Sequence, residues 1–106
     1  MNLPKPIAVY LAADEGNGEA FSLCFAEHAV VKDEGQTYTG LAAIKQWKAD
    51  AKKKYRYTIE TLACVHKAGK TVVTNRLTGN FPGSPVDLQF VFELENDLIM
   101  SLEIHP

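Results

Sequence analysis

Cysteine is scarce: Cys24 and Cys64 are the two in 106 residues, set far apart inside apolar segments. Neither has the close spacing of a zinc or redox motif, so both read as reduced, buried, small hydrophobes. The three histidines, His28, His66 and His105, are equally dispersed. Chelation needs clustered donors, so no metal site is expected. No apolar run approaches the ~20 residues of a membrane-spanning helix. Charge of one sign is also lacking: 11 Lys and Arg stand against 13 Asp and Glu, for a net charge of −2. Outside Lys52-Lys53-Lys54 the two signs interleave, which excludes the basic field that nucleic acid requires. No glycine-rich phosphate loop joins a strand to a helix, and no Gly-x-Ser-x-Gly elbow occurs, so nucleotide cofactors and serine hydrolysis drop out. The N-terminal stretch MNLPKPIAVYLAADEGN places acids where a secretory leader needs small residues, which points to the cytoplasm.

What is present is a chain with 46% hydrophobic residues, enough for one core and one domain over residues 1–106. After the rigid Leu3-Pro4-Lys5-Pro6, the residues Ile7, Tyr10, Leu11 and Asp14 recur at helical spacing, predicting a helix that ends near Glu15-Gly16. A Gly-Asn-Gly turn then leads to a second helix, capped by Asn17, with Ala20, Phe21, Cys24 and Phe25 as its stripe. His28 reads as a turn residue before a strand over Ala29 to Asp33. A brief strand, Gln36 to Thr39, ends at Gly40. The segment LAAIKQWKADAKKK is a third helix, with Leu41, Ile44, Trp47 and Ala51 on one side and lysines where the helix dipole favours cations.

From Tyr55 onward, alternating β-branched and aromatic runs form four strands: YRYTIETLACVHK, TVVTNRLTGNF, VDLQFVFELE and LIMSLEI. Short turns between them imply antiparallel pairing. The expected fold is α+β, a cone-shaped roll in which about three N-terminal helices cover one face of a curved, mostly antiparallel sheet and enclose a small apolar cavity. Phe90, Phe92, Leu94, Trp47 and the first helix would line it. Leu98, Met100 and Leu102 in one phase, against Ile99 and Val91 in the other, are more apolar surface than one covered face needs. A homodimer through the open face of the sheet is expected.

Asp33 is the residue that bears on chemistry. Side chains alternate along a strand, so if Val31 points inward, Asp33 does too. A carboxylate facing an apolar interior is costly unless it is partnered or used. It is either a general base with a raised pKa or a turn residue bonded to amides near Gly35. Lys32 alternates away and Lys52 to Lys54 belong to a solvated helix end, so no lysine is expected to offset the effect of burial.

The order of elements, with the phrases FAEHAVVKDEG, GLAAIKQW and NFPGSPVDLQFVFELENDLIMSLEI, resembles the nuclear transport factor 2-like superfamily and, within it, the SnoaL-like branch. The resemblance covers nearly the whole chain. It implies relatives among polyketide cyclases, ketosteroid isomerases, dehydratases and epoxide hydrolases, alongside non-catalytic binding and assembly domains, commonly as homodimers. In the ketosteroid isomerases a first-helix tyrosine donates to a developing oxyanion, and an aspartate closing the first strand moves the proton. Tyr10, followed by Leu-Ala-Ala, is similar to that tyrosine, and Asp33 in Ala29-Val-Val-Lys-Asp33 to that aspartate. The second oxyanion donor of those enzymes falls near Phe90, where no acid stands.

Two function classes follow. One is a cofactor-independent acid–base enzyme of isomerase, cyclase, dehydratase or hydrolase type, acting on a small apolar carbonyl- or ring-containing molecule, with Asp33 as base and Tyr10 as donor. The other is a non-catalytic ligand-binding or dimerisation module. Trp47 fits the core or a ligand-stacking position, Tyr10 fits a core aromatic as well as a donor, and Tyr57 is a further pocket candidate with Phe90 and Phe92.

Overall fold

The computed structural model describes residues 2–15 and 21–106. Helix α1 (Lys5–Glu15) starts where Pro4 accepts the Ile7 and Ala8 N–H groups, both at 3.0 Å. Pro6 fits its first turn because the missing N–H would have no partner there. A 3-10 turn over Ser22–Cys24 leads into strand β1 (Phe25–Asp33), followed by β2 (Gln36–Thr39). Gly40, with φ at 88°, swings the chain into helix α2 (Leu41–Lys54), and its carbonyl accepts the Ile44 N–H at 3.0 Å. Strands β3 (Tyr57–Lys67), β4 (Lys70–Gly79), β5 (Val86–Glu95) and β6 (Leu98–His105) complete the chain.

The six strands form one mixed sheet in the order β2-β1-β6-β5-β4-β3. Hairpins β1–β2, β3–β4 and β5–β6 each close on two residues with positive φ: Glu34-Gly35, Ala68-Gly69 and Asn96-Asp97. That backbone matches the right-handed twist of paired strands. The exception to antiparallel pairing is β1 with β6, which run parallel with Val31 opposite Leu102 and Asp33 opposite Ile104. Register shifts at Thr61/Ala63 in β3 and Glu93/Leu94 in β5 bend the sheet. The second shift also places Ile99 and Leu102 together in the core, where regular alternation along β6 would separate them.

The α+β class and helices on a curved sheet are as the sequence implies. The second helix is not found as expected: residues 16–20, including its Asn17 cap and the Gly-Asn-Gly turn, lie outside the described residues. Beyond them Ser22–Cys24 is a 3-10 turn, and Phe25 opens β1 rather than closing a helix. His28 accordingly lies within β1, exposed. A register shift between Phe25 and Val30 buries Phe25 and Ala29, four residues apart, a spacing that a helix also produces. No helix among the described residues is long and apolar enough to cross a membrane.

The core is aromatic at its centre. The Tyr10 ring stands 5.2 Å from Phe21, 5.7 Å from Phe92, 6.0 Å from Phe25 and 6.3 Å from Phe90. Its hydroxyl is buried with no hydrogen-bond partner among the described residues. Cys24 is buried in the same core, its thiol 2.9 Å from the Phe21 carbonyl and pushed up to about 12 by burial. An unpartnered buried hydroxyl costs ~1–3 kcal/mol. Tyr10→Phe should therefore hold or raise stability in urea unfolding, whereas Phe92→Ala should lose ~3–5 kcal/mol through the cavity it leaves.

Candidate functional site

Beside this core a pocket of about 430 Å³ opens between α2, the β1–β2 turn and strands β3 to β6. It opens to solvent and so differs from the enclosed apolar cavity expected. Leu77, Leu88, Phe90 and Ile104 form its sheet side, Trp47, Lys48 and Ala51 its α2 side, and Asp33 and Glu34 one rim.

Asp33 arrives here through alternation. Ala29 and Val31 are buried, Lys32 is exposed, and Asp33 is half-buried on the inner face. One helical turn past Ile44, Trp47 aims its indole N–H at the Asp33 Oδ2, 3.0 Å away. Burial raises the Asp33 pKa by disfavouring its charge, and the neighbouring Glu34 charge adds to this; the Trp47 bond, the Lys48 ammonium and a bond from the Glu34 backbone pull in the other direction and are outweighed. Asp33 thus has an inward position and one of the turn contacts of the alternative reading. The expectation that no lysine offsets burial is corrected in part: Lys48, four residues after Ile44 on the buried side of α2, lowers the Asp33 pKa without cancelling the rise.

Lys48 belongs to a second polar group. Its Nζ lies 2.5 Å from Oδ1 of Asp14, whose side chain is 1% exposed, and donates to the Tyr57 hydroxyl at 3.3 Å. Tyr57 donates to the same Asp14 oxygen at 3.2 Å. Lys52 adds a longer ion pair of 3.8 Å to Oδ2. The Lys48 ammonium also lies 4.5 Å from the Trp47 ring centroid. Burial lowers its pKa, and Asp14 restores part of the loss. Tyr57 is raised, first by burial and then by Asp14.

A model of the SnoaL-like domain matches residues 7–102. The chain belongs to the SnoaL-like domain family. Its structure is similar to that of a candidate polyketide cyclase from Sinorhizobium meliloti, with TM-score 0.93, 38% identity, and coverage of 97% of this chain and 95% of that one. A Catenulispora acidiphila protein of ketosteroid isomerase-like fold, solved with trimethylamine, shares the fold at TM-score 0.84 and 19% identity, covering 99% and 87%. A candidate ketosteroid isomerase from Kribbella flavida does so at TM-score 0.76 and 13% identity, covering 95% and 74%. No curated protein matches the chain.

In this SnoaL-like domain, Asp33, Trp47, Tyr57 and Phe90 meet at the pocket. Tyr10 and Phe92 stand behind its wall, both fully buried. Burial first, then the charges of Asp14 and Asp33 and the Tyr57 phenol, raise the Tyr10 pKa, so its hydroxyl lies beneath the same charges without joining the lining. Lys48 and Asp14 carry a role that the residue pattern did not assign. Their signal is phase: Asp14 is four residues after Tyr10 on the buried stripe of α1, and Lys48 is three before Ala51 on that of α2.

A raised Asp33 pKa has a definite consequence for stability. Between the unfolded and folded values the native state holds the extra proton, so its stability falls as pH rises through that window and the loss persists above it. Asp33→Asn should flatten this limb and stabilise the protein at neutral pH; carboxyl NMR and urea midpoints between pH 3 and 7 check both.

Proposed function

We propose that this SnoaL-like domain takes a small apolar compound bearing a carbonyl or ring oxygen into the Asp33 pocket. There it acts as a cofactor-independent acid–base catalyst of isomerase or cyclase type. The observation that carries the proposal is the Asp33 carboxylate, half-buried, raised in pKa, and held by the Trp47 indole beside Phe90 and Ile104. A base of this kind gains strength from a wall that disfavours its charge, and its orientation is held before the ligand arrives. The pocket volume lies within the range of small-molecule sites. The likeness to a candidate polyketide cyclase at 38% identity supports chemistry on carbonyl-rich, ring-forming compounds.

The test is solvent deuterium incorporation beside the carbonyl of cyclic and aromatic ketones, followed by NMR. Wild-type protein should exchange at least one of them, and Asp33→Asn should lower the rate ~10²–10⁴-fold with the fold intact. If no ketone exchanges while ligands still quench Trp47 fluorescence, the domain is a carrier, as the non-catalytic alternative holds.

We also propose that the domain pairs through the sheet face turned away from the helices. Val65, Val72 and Val91 are successive cross-strand partners there, and Val65 is 54% exposed. Light scattering at micromolar concentration should give twice 11.7 kDa; Val65→Lys should shift it toward the monomer.

A further inference from the structure

We propose that Lys48 is a catalytic residue, its ammonium receiving the negative charge that develops on a ligand oxygen when Asp33 removes a proton from the neighbouring carbon. The assignment rests on the acid–base reading of the Asp33 pocket. It deepens that reading by naming the electrophilic group and, with it, the ligand class: a carbonyl compound with an acidic C–H beside its C=O.

Lys48 lines the pocket and is nearly buried, while Lys54, which also lines it, is exposed. An ammonium has three N–H donors. Two point to Asp14 Oδ1 and the Tyr57 oxygen, and the third has no oxygen partner among the described residues. Base and cation are gripped by one side chain: the Trp47 indole N–H holds Asp33, and its ring carries the Lys48 ammonium. A buried ion pair between two helices is a weak source of stability, because desolvation offsets most of the attraction. Leucine or methionine would fill the same stripe of α2, so a lysine there calls for a use.

Among the described residues, charged groups act on Lys48 from α1, α2 and β1. Asp14 of α1 neutralises it from behind and keeps it protonated, Lys52 of α2 opposes it, Asp33 of β1 shares the pocket, and the phenols of Tyr10 and Tyr57 complete the set. Tyr57 donates to Asp14 and accepts from Lys48, so it orients the ammonium and has no free proton for a ligand. Tyr10 is sealed in the core.

The step balances without a co-reactant. The Asp33 carboxylate takes the proton, the C–H electron pair becomes the new C=C bond, and the carbonyl π pair moves to oxygen, which accepts a Lys48 N–H. The reverse flow returns the proton from Asp33 to the same or a conjugated carbon. An opposite charge within ~4–6 Å lowers an acid's pKa by ~1–3 units; with Asp14 already paired to the ammonium, Lys48 acts at the low end of that range and favours the enolate ~10-fold.

The probe is 4-nitrophenol, a planar oxyanion on a ring whose ionisation is read directly by absorbance. It is used with the Asp33→Asn variant, which removes the competing carboxylate. Bound to that protein, the phenol should ionise at least ~1 pH unit below the free compound. Lys48→Met alone would strand the Asp14 charge, so it is combined with Asp14→Asn, and circular dichroism checks the fold. The shift should vanish in this combination. In Asp33→Asn itself, with no change at Lys48, the NMR signal of the Lys48 ammonium should move when phenolate binds. A shift that survives removal of Lys48, or an ammonium signal that stays still, assigns the charge to another group and overturns the proposal while leaving the pocket intact. Absence of any phenol binding overturns the pocket reading and the Lys48 role together. Loss of ketone exchange on Asp33→Asn tests the base separately.

Discussion

An ammonium and a carboxylate almost out of water, Lys48 against Asp14, connect α2 to α1, and the Tyr57 hydroxyl between them connects both to β3. Neither charge could sit there alone, since one without the other would be desolvated and uncompensated. The pair links the two helices over the curved sheet, with Lys48 in the pocket lining. It also places a positive charge on the same ring whose N–H holds Asp33, so the packing of the helices and the electrostatics of the site are one arrangement.

Around that arrangement the pocket divides into an apolar wall and a charged rim. Phe90, Ile104 and Leu88 offer shape and little direction, while Asp33 and Lys48 set a carboxylate at the Trp47 indole N–H and an ammonium near its ring. Burial works on them in opposite senses, raising the carboxyl and lowering the ammonium, and so brings their proton affinities closer together. One fold can host many functions because its sheet and helices hold the walls, while a few side chains decide the chemistry.

Part of the site was legible because it depends on alternation alone. With Val31 inside, Asp33 had to face inward two residues later, and with Ile44 inside, Trp47 had to follow on the next turn. The two-residue turns at Gly35, Gly69 and Asn96 were equally local, each needing residues that tolerate positive φ. The start of β1 was not, since a register shift between Phe25 and Val30 imitates helical spacing.

The sequence by itself therefore determined the α+β class, five of the strands nearly to their ends, the inward turn of Asp33 and the apolar stripe of α2, because each follows from the 2.0- or 3.6-residue period of a single element. Tertiary structure decided what periodicity does not carry. The parallel match of β1 with β6 joins segments at opposite ends of the chain, and no turn records it. Tyr10 and Trp47 share a core face on their own helices, yet only the packing puts the first behind the wall and the second on it. Lys48 became part of the site because a carboxylate on another helix and a phenol on a distant strand came within hydrogen-bonding reach of it, a coincidence in space between residues 14, 48 and 57.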